Sequence, residues 1–278
     1  MPIATQKVAF LLNFTIDKPK ILIYYSDMLK SISIFLILTC AFLFGCNQVN
    51  NVIPPTNDNT HSSSNDDRNE IIYLSSKVNS LCVRSAPNST SKVIGYLDKG
   101  DIVEQKEVVG EYYKTIYKET TAYVHNNYVT SISFETSSEM VEKAISTATT
   151  LLGYPYVWGS QRYHWGNGKL NKNYVHGEYD CSAFVQYVYF VSNDIKLDLT
   201  SRTQANAGIH VDKSEIRRGD LLFFTNASRK NLSGIERIGH VGIYFGNNYI
   251  LHTASDHAVI EPISNIRWNN FITARRVI

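Results

Sequence analysis

Apolar residues recur at helical spacing in two stretches of the chain. Val141, Ala144, Ile145, Ala148 and Leu152 make one apolar face, opened by Thr136 and Glu139 in a capping-box pattern and closed by Gly153 and Pro155. Phe184, Val185, Val188 and Tyr189 make a second, and Asp180 stands where its N-cap belongs. Elsewhere the apolar runs are short. Leu81-Cys82-Val83, Val93 to Leu97, Ile102-Val103, Tyr112-Tyr113 and Ala122 to Val124 follow one another between Gly and Asn-Ser breaks. That rhythm predicts a small all-β barrel or sandwich over residues 70–134. Leu221-Leu222-Phe223-Phe224 reads as a buried strand, and two further strands flank Gly246-Asn247-Asn248 as a hairpin. Helices and strands together make residues 137–278 an α+β domain.

The hairpin carries two histidines. A three-residue connection sets Phe245 opposite Tyr249 and Gly242 opposite His252, with His240 two residues along the same face. Diagonal neighbours of this kind reach ring-to-ring contact, whereas a connection of even length would put the rings on opposite faces. Gly242 between them is expected to leave open space above the sheet.

The beginning of the chain reads as a targeting segment. Met28-Leu29-Lys30 precede an apolar run from Ile32 to Phe44, shorter than the roughly 20 residues of a membrane span. The run ends Leu43-Phe44-Gly45-Cys46, which resembles a bacterial lipobox. That resemblance implies a lipoprotein signal peptide over residues 28–45 and lipid on Cys46; a plain anchor and plain secretion are the alternatives. Residues 1–27 fit no part of a signal, so the native start is expected at Met28. Residues 46–69 are Asn, Ser, Thr, Asp and Pro with few large apolar side chains, a composition that makes a flexible tether.

Composition narrows the classes without choosing a function. A hydrophobic fraction of 44% and a charged fraction of 19% describe a globular chain. A net charge of +2 gives no electrostatic footprint for nucleic acid. Of the four cysteines, Cys40 would leave with the signal and Cys46 would carry lipid. Cys82 and Cys181 then fall in separate domains and make no disulfide framework. Cys82, between Leu81 and Val83, is expected to be a small buried residue.

Cys181 begins the second helix, where the macrodipole favours a thiolate. A lone cysteine is commonly a buried structural residue, and the two histidines are what make a second reading possible. Cys181 would be the nucleophile, His240 the base and His252 the residue that aims it. The Cys181 backbone amide is a natural donor to the oxyanion. The same three side chains are also a ligand set of the kind zinc takes. His164 and His176, in the loop of residues 160–178, lack paired ligand spacing and are expected to face solvent.

At this point the chain resembles a known family. Pro155-Tyr156-Val157-Trp158-Gly159, Asp180-Cys181-Ser182, Gly219-Asp220-Leu221, His240 to Tyr244 and Leu251-His252-Thr253-Ala254 are similar, in order, to the NlpC/P60 cysteine peptidases. Leu81, Val83-Arg84, Ala86-Pro87, Val93-Ile94-Gly95, Lys99-Gly100 and Ala122 to His125 resemble bacterial SH3-like domains. The resemblance implies a papain-like α+β core that cleaves peptidoglycan stem peptides or muropeptides between γ-D-Glu and a diamino acid. It implies no cofactor or metal, and a lipid-anchored place in the cell envelope. By position, Cys181, His240 and His252 match the catalytic residues and Tyr156 the tyrosine on the oxyanion side. Asp180 and Ser182 match residues that hold a substrate's free N-terminal amine. A non-catalytic peptidoglycan-binding lipoprotein is the rival reading.

Overall fold

The computed structural model describes residues 70–254 and 256–278. The leader of residues 28–45, the start at Met28, Cys46 and the tether of residues 46–69 lie outside the described residues.

Eight short strands come first: β1 (Ile71–Ser76), β2 (Leu81–Arg84), β3 (Val93–Leu97), β4 (Ile102–Glu104), β5 (Glu107–Val109), β6 (Tyr112–Tyr117), β7 (Thr120–His125) and β8 (Val129–Phe134). They pair as two sheets, β4-β1-β8 and β3-β2-β7-β6-β5, in place of one closed barrel. The alternation expected of strands is plain in β7, where Ala122 and Val124 are buried between exposed or half-exposed neighbours. Cys82 is half-buried, not buried.

The second region opens with α1 (Glu139–Thr150), capped by Ser138, whose hydroxyl accepts from the Val141 amide at 3.3 Å. The cap thus falls two residues beyond the expected Thr136. Glu142 reaches back to accept from the Ser137 amide at 2.8 Å, doing what a Glu at the third position does in a capping box. Next come α2 (Cys181–Asn193), α3 (Ser201–Gln204), β9 (Ile209–Val211), β10 (Leu221–Phe224), β11 (His240–Gly246), β12 (Tyr249–Ala254), β13 (His257–Pro262), α4 (Asn265–Asn269) and β14 (Phe271–Arg276). The strands form one antiparallel sheet in the order β13-β12-β11-β10-β14-β9.

All four residues of β10 are buried because the sheet is covered on both faces. Leu221 and Phe223 join the core with Phe184, Val185, Val188 and Tyr189 of α2, while Leu222 and Phe224 pack with Ile250 and Ala274 on the other side. Helix α2 lies against α1 and against β11, so the first residue of the helix is carried to the histidine strand.

The two regions share one core. Tyr73, Phe134 and Phe245 meet edge to face, with centroids 5.3, 5.0 and 4.8 Å apart. The end of α1 is completed from the β6–β7 turn. Lys118 and Glu119 donate their amides to Leu152 and Thr150 carbonyls at 2.8 Å, groups that a helix end leaves without partners. Gly153 lies so close under the Tyr117 ring that a Cβ there would sit 2.1 Å from it.

Candidate active site

Asp180 caps α2 as its sequence position predicts. Its Oδ1 accepts from the Ala183 amide at 2.8 Å and from the Ser182 hydroxyl at 3.0 Å. The other carboxylate oxygen accepts from Arg162 at 2.9 Å, and the same Arg162 nitrogen donates to the Ser182 hydroxyl at 2.9 Å. Arg162 also donates to the Ser160 and Leu199 carbonyls. Asp180 and Ser182 are thus both turned toward a guanidinium. A substrate amine expected at these two residues would have to share them with that cation. Sequence gave no periodic signal for Arg162, because it sits in an irregular loop.

Cys181 is 8% exposed. Burial, and then the Asp180 charge, push its thiol up to about 11; the Val241 and Ser182 backbone amides and Arg162 pull the other way without prevailing. Burial thus works against the thiolate expected at the helix start. Half a unit charge of helix dipole, spread over the first turn, is a smaller effect than removing a sulfur anion from water.

The hairpin differs in its turn and agrees in its consequence. Asn247 and Asn248, both at positive φ, make a two-residue connection, and Gly246 rather than Phe245 pairs with Tyr249. An irregularity between Tyr244 and Gly246 absorbs the extra residue, so Ile243 pairs with Leu251 and the register beyond is the one expected. The even-length turn alone would have parted the histidines; the bulge returns them to one face. His240 Nε2 lies 2.7 Å from His252 Nδ1. Gly242 leaves no vacancy, because a Cβ there would meet Ile250 at 2.6 Å and the His252 Cβ at 3.0 Å. The glycine is what lets the His252 backbone and ring lie so near.

The next strand supplies a residue that reading the first hairpin alone missed. His252 pairs with Val259 and Ile250 with Glu261, which sets Glu261 on the same face as His252. Glu261 Oε1 lies 3.0 Å from His252 Nε2 and 2.7 Å from Arg267 Nη2. Burial alone would raise the Glu261 carboxyl, but His252 and Arg267 hold it below its ordinary value. An ionised carboxylate only accepts, so the hydrogen on neutral His252 belongs on Nε2. His252 Nδ1 is then the acceptor for His240 Nε2–H, and the unshared pair of His240 is on Nδ1. Both rings are kept neutral, His240 well below its ordinary value by burial and then by His252 and Arg267. With both His252 nitrogens engaged, the ring offers no lone pair to a metal, and no cluster of metal-ligating side chains occurs among the described residues.

A cavity of about 370 Å³ opens beside the dyad and is lined in part by Tyr156, Thr253 and His240. Burial, followed by the charges of Cys181 and Asp180, raises the Tyr156 hydroxyl. His164, expected at the surface, is fully buried, with Nδ1 accepting from Gly166 at 2.9 Å to fold its own loop. His176 is exposed as expected and lies 2.6 Å from Glu119.

Residues 153–277 match the NlpC/P60 family and residues 79–130 match the bacterial SH3 domain. Peptidoglycan DL-endopeptidase CwlO of Bacillus licheniformis is 30% identical over 156 residues, which are 55% of this chain and 31% of that protein. Probable endopeptidase NlpC of Escherichia coli is 37% identical over 100 residues, 35% of this chain and 61% of that protein. The chain thus spans less than two thirds of the length of either relative. The structure of an NlpC/P60 family protein from Bacillus cereus aligns at 20% identity and a TM-score of 0.40, over 76% of this chain and 65% of that one.

Proposed function

The chain carries an NlpC/P60 domain with a bacterial SH3 domain N-terminal to it, and from that premise we propose that it is a cysteine endopeptidase of peptidoglycan stem peptides. The bond is the amide between γ-D-Glu and the diamino acid. One observation carries the reading: the run Glu261–His252–His240 assigns every ring proton and leaves His240 Nδ1 as the free base.

In this scheme substrate arrives at a neutral thiol and a neutral imidazole. Cys181 Sγ attacks the scissile carbonyl carbon as His240 Nδ1 takes the thiol proton, so no ion pair has to exist beforehand. The carbonyl oxygen becomes an oxyanion, received by the Cys181 backbone amide and the Tyr156 hydroxyl. His240, now cationic, returns its proton to the leaving amine as the C–N bond breaks and a thioester remains. Water then attacks the thioester with His240 again as base, releasing the γ-D-Glu carboxylate and the thiol. His252 holds the imidazolium in place, and Glu261 is the charge that stabilises it through His252. Asp180 starts the helix that presents the sulfur, and Ser182 and Arg162 hold Asp180.

The Bacillus licheniformis relative carries the name of a peptidoglycan endopeptidase and the Escherichia coli one that of a probable endopeptidase, and the first supports a place in the cell envelope. A lipid on Cys46, with residues 46–69 as tether, would keep the enzyme at a membrane while it reaches the wall. The mechanism is checked by substitution: activity should survive a chelator and fall by about a thousandfold or more in Cys181→Ser. Activity that persists in Cys181→Ser would defeat the proposal.

A further inference from the structure

The cavity beside His240 holds a cation whose hydrogen-bonding capacity is mostly unspent. Arg267, in α4, lines it together with Tyr156, His240, Asn226, Ser264 and Asn270. Its side chain is 24% exposed. Glu261 takes one Nη2 hydrogen, and among the described residues that is the sole acceptor the guanidinium has. Arg267 Nε is shielded from solvent without any partner. A guanidinium offers five N–H donors in a planar fork, so at least three remain for a ligand. Among the described residues no acidic side chain lines the cavity to occupy them. The Phe224 ring lies 5.8 Å from the guanidinium carbon and walls one side of it. A cavity with one cation, neutral amide and hydroxyl groups, and an aromatic wall is built for an anion of fork-matching shape.

We propose that Arg267 is a specificity residue that binds a free carboxylate of the stem peptide next to the scissile amide. The inference rests on the endopeptidase reading above and adds the side-chain chemistry that the substrate must carry. Two carboxylates are near that bond: the α-carboxylate of γ-linked D-Glu, and the side-chain carboxylate of a diamino acid such as diaminopimelate. A lysine-containing stem peptide lacks the second, and amidation removes either. Binding also reaches the base. Arg267 is one of the charges that keep His240 neutral. A carboxylate seated on it offsets that charge and strengthens His240 as a base only when the correct substrate is present.

The experiment uses the full chain and four L-Ala-γ-D-Glu-X-D-Ala peptides, in which the α-carboxyl of X is tied up in an amide: X as diaminopimelate, diaminopimelate with its side-chain carboxylate amidated, lysine, and diaminopimelate beside an amidated D-Glu. For the wild type, loss of the recognised carboxylate is expected to lower kcat/KM about tenfold or more, with KM raised and kcat lowered together. In R267Q the ratio between the acid and its amide falls to about one, and R267K retains part of it. The sensitive peptide identifies which carboxylate is read. A purely positioning role through Glu261 would instead lower kcat equally for all four peptides and leave the ratio unchanged, which overturns the inference. So does a wild type indifferent to both amidations. The same ratios measured as Kd with Cys181→Ala need no turnover. If no peptide is cleaved but the acid is bound tenfold more tightly than its amide, the endopeptidase reading fails and the carboxylate site stands.

Discussion

In the proposed mechanism Cys181 and His240 both start neutral, and the pH dependence follows from the sign of each shift. Burial raises the thiol to about 11 and drives the imidazole well below its ordinary value. Activity needs neutral His240, so kcat/KM should stay level through neutral pH and fall only as His240 protonates, below pH 6.5. An acid limb centred above 6.5 would contradict the neutral pair. The same shifts bear on stability. The contribution of the depressed histidines is present above their ordinary pKa and is lost as pH falls below it; that of Cys181 is present below 9.0 and lost as pH rises through about 11. Glu261 sets the tautomers, and Glu261→Gln can turn an amide N–H toward His252. A fall in kcat of about a hundredfold or more is expected, with unfolding temperature little changed. A variant with normal kcat would remove Glu261 from the mechanism.

Elements position these residues through packing that is legible to different degrees. The α2 start could be read because a capping residue and an apolar stripe coincide at Asp180. The histidine face could be read because strand alternation survives the turn, although the turn itself is Asn247-Asn248 with a bulge. Glu261 was hidden because its face depends on the β12–β13 pairing, one hairpin further on. Arg162 and buried His164 were hidden because their loop has no period, and long-range contacts alone decide what it buries. Gly242 tests the hairpin directly. A Cβ there meets Ile250 and His252, so Gly242→Ala should destabilise by about 1–3 kcal/mol and shift the His252 ring signals in an NMR titration. Unchanged stability and ring signals would mean that the close approach is not needed.

On the scale of the molecule, the β-rich region completes the α+β one. It caps the end of α1 through Lys118 and Glu119 and contributes Tyr73 and Phe134 to a shared aromatic cluster. Arg218 stacks over Phe245 at 4.3 Å while its fork holds Glu142 at 2.9 and 3.0 Å. Calorimetry should therefore show one unfolding transition for the two regions, and Phe134→Ala should lower stability by about 3–5 kcal/mol. Two transitions, with only the first moved by that substitution, would show that the regions fold independently.

The most direct measurement is the mass of the products formed from a defined L-Ala-γ-D-Glu-diamino acid peptide, by the wild type and by Cys181→Ala. The expected result is a single cut after γ-D-Glu by the wild type and none by the variant. A peptide that is bound and returned intact would mark a wall-binding protein, and an identical cut by Cys181→Ala would remove the thiol from the chemistry.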